Sequence, residues 1–291
     1  MFKRSLMLVW RRQVLYVDRC PVNCDCGYPT ADELRFNEPI DWKQNLNGTK
    51  VEPYKHVLIA SDTPIDQLPA KAELVPGSLV HELDRFKRTK LSPTHPVLFL
   101  AVDIPGLKHP EVAIFPDGIK VEINQLDDVL SFYDQFLIPP NHEPAPVHNP
   151  FAKATTKATT KATTGRTPIA VPQIPDKPVR FTTSPFTRPT VVICGHAARD
   201  QRCGVMGPLL KQVFTDELEK RQLDVDVGLI SHIGGHAYAG NVIWLPLAPH
   251  QPPVWYGRVF PELVPGIIDE TIIGGKIIKE LYRGIIPETK A

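Results

Sequence analysis

Residues 153–164 read KATTKATTKATT, between PPNHEPAPVHNP and GRTPIAVPQIPDKP. A Thr/Ala/Lys/Pro mixture offers too few apolar side chains to build a core, so residues 139–177 read as a flexible linker. This limits what the chain can fold into, because no packed element runs through such a stretch. The 291 residues are therefore expected to form one unit on each side, an N-terminal α/β domain at 28–138 and a second at 178–291.

The remaining composition is globular, with 42% apolar and 22% charged residues. A net charge of +1 gives no support for a nucleic-acid binder, and no apolar run is long enough for a transmembrane segment. The first residues, MFKRSLMLVWRRQVLYV, carry Lys3, Arg4, Arg11 and Arg12 with no acid before Asp18. That is the composition of a mitochondrial transit segment, expected over 1–27, and it places the protein in the matrix or intermembrane space. The competing reading is a basic first strand or helix.

In the N-terminal unit KHVLIAS, PVLFLAVD and EVAIFPDGIKVEI are strand candidates. LDDVLSFYDQFL carries Leu126, Val129, Leu130, Tyr133, Phe136 and Leu137 at helical spacing. No catalytic constellation is found there. In the C-terminal unit PTVVICG is a strand, and GPLLKQVFTDELEKRQ is a helix expected to begin at Gly207-Pro208, with proline in its first turn. DVDVGLIS, NVIWLP and VWYGRV are further strands, and IIDETIIGGKIIKELYR is a closing helix. The order β-α-β-β-β-α is that of a thioredoxin-like layer with helices packed on a sheet.

The chemistry gathers at strand ends in this second unit. Cys194 closes the first strand, and Cys203 follows after eight residues in CGHAARDQRCG. His232 and His236 then stand in SHIGGH, a loop rather than a helix, since two adjacent glycines cost a helix about 1 kcal/mol each. The carboxyl ends of strands in an open α/β sheet are where cofactors collect. Two thiolates and two imidazoles can close a tetrahedral zinc site. Zinc fingers, however, keep their cysteines closer together, and a 2Fe–2S cluster with two histidines on one iron is the other candidate.

CGHAARDQRCGVMGP, HIGGH and WYGRV together resemble the sucrase/ferredoxin-like family, and within it the fungal bishistidinyl thioredoxin-like ferredoxins. The resemblance covers roughly the last 110 residues. It implies one 2Fe–2S cluster, with Cys194 and Cys203 on one iron and His232 and His236 on the other. Gly234 and Gly235 support the loop by permitting a tight turn. It also implies an electron carrier rather than a catalyst, with an unnamed redox partner protein. Two thiolates bring the oxidised site to zero net charge, so the potential should lie above that of all-cysteine ferredoxins. Electron uptake should be coupled to proton uptake at the histidines. A structural zinc module and a thiol-disulfide oxidoreductase are the rival readings, the latter weakened by the missing Cys-x-x-Cys.

Neighbouring residues carry smaller expectations. With four ligands already present, His196 is assigned a loop role rather than a fifth ligation. Arg199 or Arg202 should offset charge near the site or pair with Asp200. Tyr238, Trp255 and Tyr256 are read as core aromatics that flank it. Cys20, Cys24 and Cys26, in CPVNCDC, either carry a thiol redox function or are incidental.

Overall fold

The computed structural model describes residues 14–22, 27–50, 52–139, 179–248 and 251–286. Most of the expected linker, most of the targeting segment, Cys24 and Cys26 lie outside the described residues.

Chain order gives β1 (Leu15–Val17), β2 (Lys55–Ala60), α1 (Leu79–Lys90), β3 (Val97–Asp103), β4 (Glu111–Phe115), β5 (Ile119–Glu122) and α2 (Val129–Phe132, extended by a wider turn over Tyr133–Leu137). From residue 179 onward come β6 (Thr182–Pro185), β7 (Thr190–Cys194), α3 (Gln201–Lys220), β8 (Asp226–Ile230), β9 (Val242–Leu245), β10 (Val254–Tyr256), α4 (Val264–Ile267, extended over Ile268–Ile273) and β11 (Lys276–Ile278). Nine of these strands form one mixed sheet in the order β10-β9-β7-β8-β3-β2-β4-β5-β6.

The sheet contains the same unit twice. In the N-terminal half β2 and β3 are parallel, β4 runs antiparallel to β2, and β5 antiparallel to β4. In the C-terminal half β7 and β8 are parallel, β9 runs antiparallel to β7, and β10 antiparallel to β9. Each half is thus β-α-β-β-β-α with one strand order, and the halves meet edge to edge where Val102 pairs with Ile230 and Asp103 with Leu229. The strand pattern expected of the C-terminal half alone describes both.

Alternation along the strands builds three cores. Val57 and Ile59 face α1 and α2, together with Leu83, Phe132 and Tyr133. Val191 and Ile193 face α3 and α4, with Leu210, Phe214 and Ile267. The intervening residues, Leu58, Leu100 and Phe115 from one half and Val192, Ile243 and Trp255 from the other, form a core shared between the halves. Across it the Trp255 indole N–H donates to His56 Nε2 at 3.1 Å.

Three expectations are corrected. α3 begins at Gln201, not at Gly207-Pro208, because Asp200 caps it by accepting the Arg202 N–H at 3.0 Å. Pro208 therefore lies inside the helix, where proline costs about 3 kcal/mol. Close packing offsets this: a Cβ on Gly207 would lie 2.6 Å from Gly195 Cα. The closing helix stops at Gly274, and Lys276–Ile278 instead forms a strand parallel to Leu15–Val17. Residues 15–17 of the expected targeting segment are thereby part of the fold. Finally, α1 was not foreseen, although Leu79 and Leu83 line its buried face and Ser78 caps it.

Candidate metal centre

β7 is fully buried and ends at Cys194, so its last side chain is delivered to the sheet's carboxyl edge without solvent contact. Cys203 sits one turn into α3, not in a loop, with its sulfur against the same edge. Both thiols are buried and free of a disulfide. Ligand atoms of Cys194, Cys203 and His232 lie within 4.8 Å of one another. The trio is therefore a possible metal-binding group. His236 lies outside the trio, although its ring centroid is only 5.3 Å from that of His232. The four sequence-predicted residues thus share one end of one sheet, three of them in mutual contact.

The loop between β8 and β9 obtains its shape from Gly234 and Gly235, at φ +78° and +75°. A side chain at Gly235 would also collide with the Arg283 guanidinium. Asn241 Nδ2 donates to Gly235 O at 2.9 Å, and Arg283 Nη1 donates to Gly234 O at 3.1 Å. The glycine pair is held from behind by two polar side chains, and His232 approaches the thiols.

The site's electrostatics follow from its burial and its donors. The Cys203 hydrogen bond and the proximity of His232 hold the Cys194 thiol well below its usual range, against the penalty of burial. The same Cys194 hydrogen bond, together with burial, pushes Cys203 up. The Nδ1 atoms of His232 and His236 are buried and have no hydrogen-bond partner. Buried polar atoms are rarely left unpaired, so both nitrogens are candidate donors to a bound group. The Nε2 of His236 faces outward, 4.0 Å from Asp200 Oδ2.

Two thiols and two imidazole nitrogens form a donor set suited to a soft transition-metal group. Three of the four donors lie within 4.8 Å of one another, and His236 stands outside them with its buried Nδ1 free of a hydrogen-bond partner.

Other singled-out residues have defined places. His196 is 2% exposed, with Nε2 bonding to Pro69 O at 3.0 Å and Nδ1 accepting the His232 N–H at 3.2 Å. Both ring nitrogens are engaged, in keeping with a loop role. Arg202 is locked to Asp200 by bonds of 2.9 Å and donates to Pro39 O at 2.7 Å, making an internal ion pair. Arg199 is exposed. Trp255 and Tyr256 are core residues, and Tyr238 lies under the Arg283 guanidinium. Cys20 is buried away from the site, donates to Leu263 O at 3.4 Å, and has its thiol pushed up to about 12 by burial and by Glu280. That environment suits an inert thiol. Arg283 was missed because it lies 47 residues beyond His236 in sequence, and Asn241, although it closes the same loop, because nothing in its sequence context shows that its amide reaches back to Gly235.

No helix among the described residues is long and apolar enough to cross a membrane. The sucrase/ferredoxin-like family model matches residues 46–284. Curated relatives named "Altered inheritance of mitochondria protein 32" include one from Debaryomyces hansenii, 42% identical over 92% of this chain and 96% of the relative. Another, from Clavispora lusitaniae, is 44% identical over 92% and 95%. A third, from Meyerozyma guilliermondii, is 36% identical over 96% and 99%. No solved structure matches. With the family model spanning both halves of the sheet and the ligand-bearing edge, the chain belongs to the sucrase/ferredoxin-like family.

Proposed function

We propose that the protein is an electron carrier holding one 2Fe–2S cluster at Cys194, Cys203, His232 and His236. The support for this is that the buried Nδ1 atoms of His232 and His236 have no hydrogen-bond partner, while a His232 ring nitrogen lies within 4.8 Å of the buried free thiols of Cys194 and Cys203. Bound there, the cluster would supply a one-electron couple. Cys194 and Cys203 bring anionic sulfur to one iron, and the histidines bring neutral donors to the other. Ile230, Ile233 and Ile243 exclude water from the sulfur side. The outward Nε2 of His236 faces Asp200, which gives a proton a route to the ligand when charge is added. The relatives' name ties them to mitochondria, and with the basic N-terminus it supports a mitochondrial carrier.

A single zinc ion is the second reading, favoured by the mutual contact of Cys194, Cys203 and His232. Anaerobic purification of the full chain decides between them. Two irons and two sulfides per chain with visible absorbance are expected. Stoichiometric zinc in a colourless protein would establish the second reading instead.

A further inference from the structure

Arg283 presents a problem of charge. It is 2% exposed, deeper than any other arginine of the described residues. Its hydrogen bonds go to neutral groups: Thr49 Oγ1 at 3.3 Å, Gly234 O at 3.1 Å and Asn241 Oδ1 at 2.7 Å. Its guanidinium lies 5.3 Å from the Tyr238 ring centroid. Among the described residues no carboxylate stands within 4.0 Å of it, whereas Arg188, Arg202 and Arg221 each have one. Nearby Lys50 adds to the positive charge: its backbone N–H donates to Arg283 O at 2.9 Å, and its ammonium sits over the Trp255 ring.

A buried cation without a counter-ion costs several kcal/mol even after relaxation, so a fold that retains one places negative charge close by. The negative groups here are in the ligand set. Burial lowers the Arg283 guanidinium from its usual range, and what opposes burial is Tyr238 followed by the Cys194 and Cys203 sulfurs. Arg283 therefore stands behind the HIGGH loop as a buried cation with no carboxylate partner, unlike Arg202, which is buried near Cys203 but paired with Asp200.

We infer that Arg283 is the counter-ion of the bound group, placed so that charge added to the cluster is neutralised inside the protein. This rests on the 2Fe–2S reading. With two thiolates and two neutral imidazoles, the oxidised site carries no net charge and the reduced site carries one negative charge. Arg283 is then uncompensated in the oxidised state and paired in the reduced state. The residue thus raises the affinity for the electron, while its bond to Gly234 O aims the loop. It is a positioning and electrostatic residue, not a ligand.

The test is a spectroelectrochemical titration of the full chain, loaded with cluster, as wild type, Arg283→Gln, Arg283→Lys and Asn241→Asp. Glutamine keeps a donor toward Gly234 O without charge. Aspartate at 241 neutralises Arg283 in place and remains informative if the glutamine variant fails to load. Both should lower the equilibrium constant for electron uptake at least tenfold, a 59 mV shift to lower potential. Arg283→Lys should stay within threefold of wild type. Intact cluster spectra with wild-type potentials in the glutamine and aspartate variants would overturn the inference and leave the 2Fe–2S reading standing. A lysine variant as shifted as glutamine would assign the effect to fork geometry and overturn it equally. Zinc without iron in the wild type would remove both readings.

Discussion

His196 Nδ1 accepts the backbone N–H of His232 at 3.2 Å, while the other nitrogen of the same ring bonds to Pro69 O at 3.0 Å. One neutral imidazole thus joins the ligand loop of the C-terminal half to a loop of the N-terminal half. Since Nδ1 accepts, Nε2 carries the hydrogen and donates to the carbonyl.

Replacing His196 by alanine removes both of these partly buried hydrogen bonds to the backbone. The expected loss is about 1–3 kcal/mol in urea unfolding of the full chain. Metal should also dissociate faster from the variant, because the His232 backbone is no longer fixed. His196→Asn, which can accept from the His232 N–H, should recover part of the retention. Equal metal off-rates in alanine variant and wild type would show that the ring is not positioning the loop.

Strands β2–β5 and β7–β10 were legible as short apolar runs bounded by Pro, Asp or Gly, whereas β1, β6 and β11 were not, β6 being a polar run exposed along its length. Cys194, Cys203, His232 and His236 were legible through their spacing. The start of α3 was not, because Pro208 is the strongest local punctuation and Asp200 reads as a loop residue until its carboxylate is seen on the Arg202 N–H. α1 has the signals of a helix, with Ser78 ahead of Leu79 and Leu83. Its many charged residues masked them. The repeated unit was invisible because strand order is not written in local pattern: Ala60 ends β2 where Cys194 ends β7, and the two stretches share only their apolar alternation. Arg283 and Asn241 matter through contacts made only once the sheet is formed.

Ligand exchange separates the two kinds of donor. Cys194→Ser or Cys203→Ser should abolish most bound metal, measured as iron per chain, because a buried hydroxyl is a poor replacement for thiolate. His232→Cys and His236→Cys should retain the cluster at a lower potential, since each adds negative charge. Wild-type spectra and potentials in both histidine variants would exclude these residues as ligands.

Gly207→Ala tests how α3 delivers Cys203. The added carbon would lie 2.6 Å from Gly195 Cα and 2.9 Å from Cys194 O, both backbone atoms that cannot swing aside. The helix must move away from β7, and the expected cost is about 1–3 kcal/mol, with loss of metal retention. Alanine is the better helix former, so a stabilised variant with normal metal content would show that the close approach is not needed.

The last prediction concerns acid stability and lies away from the ligands. His56 is buried in the shared core, with Nε2 accepting from the Trp255 indole and Nδ1 without a partner. Burial, and then the charge of Lys50, lower it from 6.5 to about 3. Above pH 6.5 neither the folded nor the unfolded chain holds a proton there, so His56 gives no pH dependence. Between 6.5 and about 3 the unfolded chain binds a proton that the folded chain refuses, so stability falls as pH falls. The limiting slope is about 1.4 kcal/mol per pH unit for this one group. Below the folded value the penalty is complete and the slope vanishes. His56→Gln removes the titration and keeps an acceptor for the indole N–H. Acid loss of metal affects both proteins alike, so the difference between wild type and variant isolates the histidine. In urea unfolding at pH 7 and pH 4.5, the variant should lose about 2.5 kcal/mol less than wild type over that interval. Parallel losses in the two proteins would mean that His56 takes up its proton in the folded state and that the shared core admits the charge.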